Sequence, residues 1–97
     1  MALTKLTPDE IAQRLPSAPD WAVDKTGALH REFRFVDFPR AFGFMASVAT
    51  VAQAMDHHPD WSNVYNRVTI RLSTHDAGGL TEKDFELAKR IDELVRG

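Results

Sequence analysis

The sequence contains no cysteine. That removes disulfides, thiolate nucleophiles and thiolate metal ligands together, so a domain this small must find its stability in its core or in a partner. Charge of one sign is lacking too: twelve basic residues stand against fourteen acidic ones, for a formal net charge of −2. There is no polybasic stripe of the kind that neutralises a phosphate backbone, which disfavours direct nucleic-acid binding. The opening residues Met1-Ala2-Leu3-Thr4-Lys5-Leu6 lack a long apolar run followed by a cleavage site. Neither secretion nor membrane attachment is expected, and the reading is a soluble, cytoplasmic protein. No low-complexity segment or linker interrupts the chain. Its 97 residues lie below the length at which chains split, so residues 1–97 are read as a single domain.

What is there has the composition of an ordinary folded protein, 43% hydrophobic and 27% charged. Thr7-Pro8-Asp9-Glu10 carries a helix start, with Thr7 as N-cap, Pro8 at the first helical position and Glu10 completing a capping box; Pro16 and Pro19 stop the helix. Trp21 to Asp24, a turn at Lys25-Thr26-Gly27 and Ala28 to Phe35 form a hairpin, because Leu29, Arg31, Phe33 and Phe35 alternate with His30, Glu32 and Arg34. Asp37 caps a long helix over Phe38 to Met55. A short strand over Ser62 to Tyr65 turns at Asn66-Arg67 into the cleanest strand, Val68 to Ser73, where Val68, Ile70 and Leu72 face one way. Thr81 caps a final helix, with Leu80 stapled onto Phe85, and its apolar face of Leu87, Ala88, Ile91, Leu94 and Val95 ends at Gly97. The order αββαββα predicts an α+β fold: a four-stranded antiparallel sheet with helices packed on one face.

The long helix is unusual because Ala41 to Met55 contains no charged residue. Phe38, Phe42, Met45, Ala49 and Ala52 make one apolar stripe, and Ala41, Phe44, Val48, Val51 and Met55 make a second beside it. One sheet covers one side of a helix, so a second cover is expected, and another subunit is the simplest candidate. The plainer alternative is a face of small residues that tolerates water.

Asp56-His57-His58-Pro59-Asp60-Trp61 holds two of the four histidines between an acid and a stiffening proline. His75 lies where the cleanest strand ends. If the two loops meet at one sheet edge, His57, His58, His75, Asp56, Asp76 and Trp61 share a cleft, and imidazoles there can donate and accept protons near neutral pH. Taken singly, each histidine reads more readily as a solvated loop residue, and it is the joint pattern that points to a site. A zinc site is the rival chemistry, but adjacent histidines seldom reach one ion and the i, i+4 helical spacing is missing. Asp84 falls on the apolar face of the last helix. It either returns a hydrogen bond to Thr81 or complements the helix N-terminus, or else it orients a histidine or holds a polar ligand. Gly78-Gly79 reads as turn geometry rather than an anion cradle, and Trp61 and Tyr65 read as core or as stacking surfaces for a flat ring. His30, on the polar face of its strand, is given no role.

With these residues in view, the chain resembles the pterin-4a-carbinolamine dehydratase family. The resemblance rests on Asp56-His57-His58-Pro59-Asp60-Trp61, Asn63-Val64-Tyr65-Asn66, Leu72-Ser73-Thr74-His75, Gly79-Leu80-Thr81 with Asp84, and Phe38 with Arg40-Ala41-Phe42-Gly43-Phe44-Met45. It spans Trp21 to the last helix. It implies a cofactor-free and metal-free lyase that dehydrates 4a-hydroxytetrahydropterin to quinonoid dihydropterin, with His57 and His75 as acid and base and His58 on the pterin. Asp56, Ser73, Thr74, Asp76 and Trp61 would line the pocket and Asp84 would support it. It further implies a homodimer or homotetramer, for which the Ala41 to Met55 helix is the independent sequence evidence, and service to an aromatic amino-acid hydroxylase. Relatives that dimerise a transcription factor or assist assembly supply the alternative, a protein-binding module.

Overall fold

Local signals in the chain set the elements. The computed structural model describes residues 3–96, so Met1, Ala2 and the helix end expected at Gly97 lie outside the described residues. Helix α1 (Pro8–Arg14) starts at the expected capping box, with Thr7 Oγ1 accepting from the Glu10 amide and Glu10 Oε1 accepting from the Thr7 amide. Strands β1 (Ala22–Val23) and β2 (Leu29–Arg34) follow, then α2 (Phe38–Met55), β3 (Asp60–Val64), β4 (Arg67–Leu72) and α3 (Glu82–Arg96). The sheet is antiparallel throughout, in the order β1-β2-β4-β3. The α+β architecture expected from the sequence is therefore the observed one. Among the described residues no helix is long and apolar enough to cross a membrane.

Register decides which side chains form the core. Leu29 faces Leu72, Arg31 faces Ile70 and Phe33 faces Val68 across β2 and β4, and all but Arg31 are buried. Helices α2 and α3 close over this face, contributing Ala41, Phe44, Val48 and Ala52 from the first and Phe85, Leu87, Ala88 and Ile91 from the second. Arg31 reaches the same face because α3 supplies a partner: its Nη1 lies 2.6 Å from Oδ1 of buried Asp92, which also accepts from Trp21 Nε1 at 2.9 Å. A buried charge is tolerable when paired and hydrogen-bonded in this way.

Four details differ from the sequence expectation. The β3–β4 turn is Tyr65-Asn66, not Asn66-Arg67, and β3 runs Asp60–Val64 rather than from Ser62 to Tyr65. The shift follows from two anchors. Asp60 pairs across the strands with Arg71, and Asn66 is fixed by Nδ2 donating to the Phe35 carbonyl (2.8 Å) while its own carbonyl accepts from the Phe35 amide (2.9 Å). Tyr65 takes up the reversal at φ 52. The end of β4 falls at Leu72, one residue before Ser73. Leu94 and Val95, placed on the apolar face of the last helix, are exposed. The first stripe of α2 also divides: Ala52 is buried, whereas Phe38 and Phe42 are 45% and 59% exposed, because sheet and α3 cover only the side that carries Ala41, Phe44, Val48 and Ala52.

Candidate active site

The end of α2 builds one wall. Asp56 adopts the left-handed conformation, φ 51 and ψ 45, and the His57 amide donates back to the Ala52 carbonyl at 3.0 Å. Such a reversal is a common way to end a helix, and Asp is among the few non-glycine residues that adopt it readily. It separates two adjacent side chains. His57 turns inward and is buried, while His58 stays exposed with Nε2 donating to Gln53 Oε1 (3.0 Å) on the last turn of α2.

The second wall follows β4. Thr74 pairs with Gly79 as an isolated bridge, closing a loop that contains the short 3-10 turn His75–Ala77 and Gly78 at φ 74. The positive φ is why glycine suits that position. Thr74 is buried, whereas Ser73, His75 and Asp76 are exposed.

The first turn of α3 joins the walls. Asp84 is fully buried and uses both carboxylate oxygens. Oδ1 lies 2.6 Å from His57 Nε2, and Oδ2 accepts from the Thr81 amide (2.9 Å) and from Thr74 Oγ1 (2.8 Å). Proton directions follow from donor counts. A carboxylate only accepts, so Nε2 of His57 carries the hydrogen and Nδ1 is the ring atom left for chemistry. The Thr74 hydroxyl spends its hydrogen on Asp84, so across the 2.7 Å Thr74–Thr81 contact Thr81 is the donor. Thr81 Oγ1 in turn accepts from the Lys83 amide at 3.3 Å. No buried side-chain polar atom among the described residues lacks a partner.

Asp84 thus accepts a hydrogen bond at the helix start, from the Thr81 amide, and also contacts the His57 ring at Nε2. The arrangement matches the general pattern in which a buried carboxylate fixes the tautomer and ring orientation of an acid/base imidazole. Asp56, His57, His58, Ser73, Thr74, His75 and Asp76 line one cleft of about 570 Å³. Three imidazoles and four of the polar residues named from sequence thus converge. Trp61 does not line it. On β3 it pairs with Ile70 and packs, half-buried, against the core, which corrects its expected place in the cleft. Leu3, Ala77 and Lys83 line the cleft without having been singled out. Lys83 had one available signal, its position directly before Asp84. Leu3 had none, because the N-terminal segment is brought to the site by tertiary contacts, the Leu6 amide docking on the Leu80 carbonyl at 2.8 Å and the Leu6 side chain entering the core. Among the described residues no three or more His, Asp or Glu side chains are grouped closely enough to hold a metal ion.

Comparison with known proteins gives a consistent result. The family model described as pterin 4 alpha carbinolamine dehydratase matches residues 4–94. A protein of Solibacter usitatus is 55% identical over 94 residues, covering 97% of this chain and 98% of its own. One of Rhodospirillum rubrum is 58% identical over 92 residues, covering 94% and 96%. Both carry pterin-4-alpha-carbinolamine dehydratase as a provisional name. A crystal structure from Brucella melitensis, described as a transcriptional coactivator/pterin dehydratase, superposes with a TM-score of 0.90 at 42% identity, covering 94% of this chain and 98% of that one. The chain belongs to the pterin 4 alpha carbinolamine dehydratase family.

Proposed function

We propose, for this member of the family, that it dehydrates a 4a-hydroxytetrahydropterin to the quinonoid dihydropterin by histidine acid/base catalysis. The reaction breaks the C4a–O bond as the oxygen takes a proton and leaves as water. N5 gives up its proton, and the electron pair forms the C4a–N5 double bond. One group must donate and another accept, both near neutral pH, and imidazoles do this without a cofactor.

The observation that carries the reading is the His57–Asp84 contact beside His75 in a single cleft. His57 and His75 are the acid/base pair, with Nδ1 the working atom of His57. Exposed His58 steadies the ring, and Asp56, Ser73, Thr74 and Asp76 surround it. Asp84 is a positioning residue that acts through His57. Purified protein should accelerate the dehydration, followed by absorbance, and a rate equal to the uncatalysed one would overturn the proposal. The substrate links the chain to an aromatic amino-acid hydroxylase, whose reaction would supply the carbinolamine.

We also propose that α2 forms the subunit interface of a homodimer or homotetramer. Exposed Phe38 and Phe42 on a helix without charge from Ala41 to Met55 support this. A protein-binding role is the second reading, favoured by the same apolar face and by the Brucella neighbour's description as a coactivator. Comparing His75→Ala in the dehydration assay and in partner pull-down separates the two. Loss of activity with retained capture would show independent functions, and failure of capture by the wild type would leave catalysis alone.

A further inference from the structure

Apart from Leu3 and Ala77, every residue lining the histidine cleft is polar or charged. Ala77 offers a single methyl group, so Leu3 is the cleft's one large apolar side chain, and it is 39% exposed. A lone exposed leucine elsewhere on a surface would need no explanation. This one stands where a substrate would lie.

The segment that carries Leu3 is clamped along the second wall of the cleft. Leu6 anchors it, with its side chain in the core and its amide donating to the Leu80 carbonyl at 2.8 Å. One residue earlier, the stem of Lys5 lies over Gly79. A Cβ at Gly79 would fall 2.7 Å from Lys5 Cε and 3.2 Å from Cδ and Cγ, so glycine is what permits this approach. Gly79 is also the bridge partner of Thr74 and closes the loop that carries His75. Farther on, Arg14 of α1 pairs with Glu82, the first residue of α3. Residues 3–6 therefore form a strap that runs from the cleft, past the His75 loop, to the start of α3.

A flat bicyclic substrate needs an apolar surface as well as polar partners. Its nitrogen and carbonyl atoms lie around the rim, where the imidazoles, hydroxyls and carboxylates of the cleft can meet them. A ring face laid on those same groups would take water from them and return no hydrogen bond. Laid on a leucine, it removes apolar area from water on both sides of the contact.

We infer that Leu3 is a substrate-binding residue and that the strap of residues 3–6 is a working wall of the active site, supporting one face of the pterin ring while the polar residues hold its edge. The inference rests on the dehydratase reading and adds to it a residue from the opposite end of the chain. An aliphatic side chain moves no proton, so its contribution belongs to binding and is the same for the ground state and the transition state.

The test measures kcat and KM for the dehydration, together with the affinity for a dihydropterin without the 4a-hydroxyl group, titrated by fluorescence. Leu3→Ala should raise KM about fivefold to tenfold and weaken the dihydropterin by the same factor, with kcat within about twofold of the wild type. Leu3→Met, of similar apolar volume, should restore both values. Lys5→Ala, which removes the stem from Gly79, should raise KM about twofold by loosening the strap. Urea melts of Leu3→Ala should match the wild type, because the residue is exposed. A Leu3→Ala variant with unchanged KM and dihydropterin affinity overturns the inference while leaving the dehydratase reading intact, and so does one that loses kcat at constant KM. A wild type that fails to accelerate the dehydration overturns both.

Discussion

Nε2 of His57 lies 2.6 Å from Oδ1 of Asp84, a carboxylate with no exposed surface. One imidazole nitrogen is thereby committed to the protein and the other is left to the cleft. His58, the next residue, is held only by a surface contact with Gln53. Adjacent histidines are thus unequal in rigidity.

That inequality predicts a division of effects. His57→Ala and His75→Ala should each lower kcat by about 10² or more, as expected when an acid/base group is removed. His58→Ala should act mainly on KM, raising it by about threefold to tenfold through one lost contact. Steady-state kinetics on the three variants check this, and a kcat for His57→Ala equal to the wild-type value would remove His57 from the mechanism.

Asp84→Ala should cost both activity and stability. Three groups lose their acceptor at once, the His57 ring, the Thr81 amide and the Thr74 hydroxyl, for a destabilisation of about 3 kcal/mol. Asp84→Asn keeps the shape but can donate as well as accept. It should retain most of the stability while lowering kcat about tenfold or more and altering the pH profile, which a purely structural role would leave unmoved. Urea melts alongside pH–rate profiles separate the two contributions.

The α2 surface predicts self-association. Sedimentation at micromolar concentration should show a species larger than the monomer, and Phe42→Asp should shift it toward the monomer. Phe42 is 59% exposed, so the substitution leaves the core of the single chain intact. A wild type that sediments as a monomer would refute the interface.

Acid stability should depend on Asp24. The Thr26 hydroxyl, joined by the Arg71 guanidinium, holds its carboxyl well below the usual aspartate range, and Asp24 raises the pKa of Arg71 in return. A carboxylate whose pKa is lower in the folded state stabilises fully above its unfolded value of about 3.9, and the contribution fades as pH falls from there toward the lowered folded value. Asp24→Asn should therefore be less stable than the wild type at neutral pH, with the gap in Tm narrowing below about pH 4. A gap that is constant with pH would exclude the linkage.

What the chain determined by itself is local. Helix starts were legible at Thr7, Asp37 and Thr81, because a cap and the amides it satisfies lie within three residues of one another. The strand faces of Val68, Ile70 and Leu72 were legible because alternation is a property of consecutive residues. The family resemblance rested on the same contiguous motifs, whereas the gathering of His57, His58 and His75 was conditional on two loops meeting. Tertiary structure decided what depends on distant partners. Trp61 was assigned to the core by the register of β3 on β4, and the β3–β4 turn was moved by Asn66 anchoring on Phe35. Arg31 and Asp92 could occupy a buried face only because each found the other across 61 residues. Asp84 could be placed on an apolar helix face from sequence, but its contact with His57, 27 residues earlier, required the left-handed turn at Asp56 to point one imidazole inward and leave its neighbour outside. Spacing along the chain does not encode that turn, since a single backbone conformation at the helix end, selected by packing, decides which of two identical side chains meets the buried carboxylate.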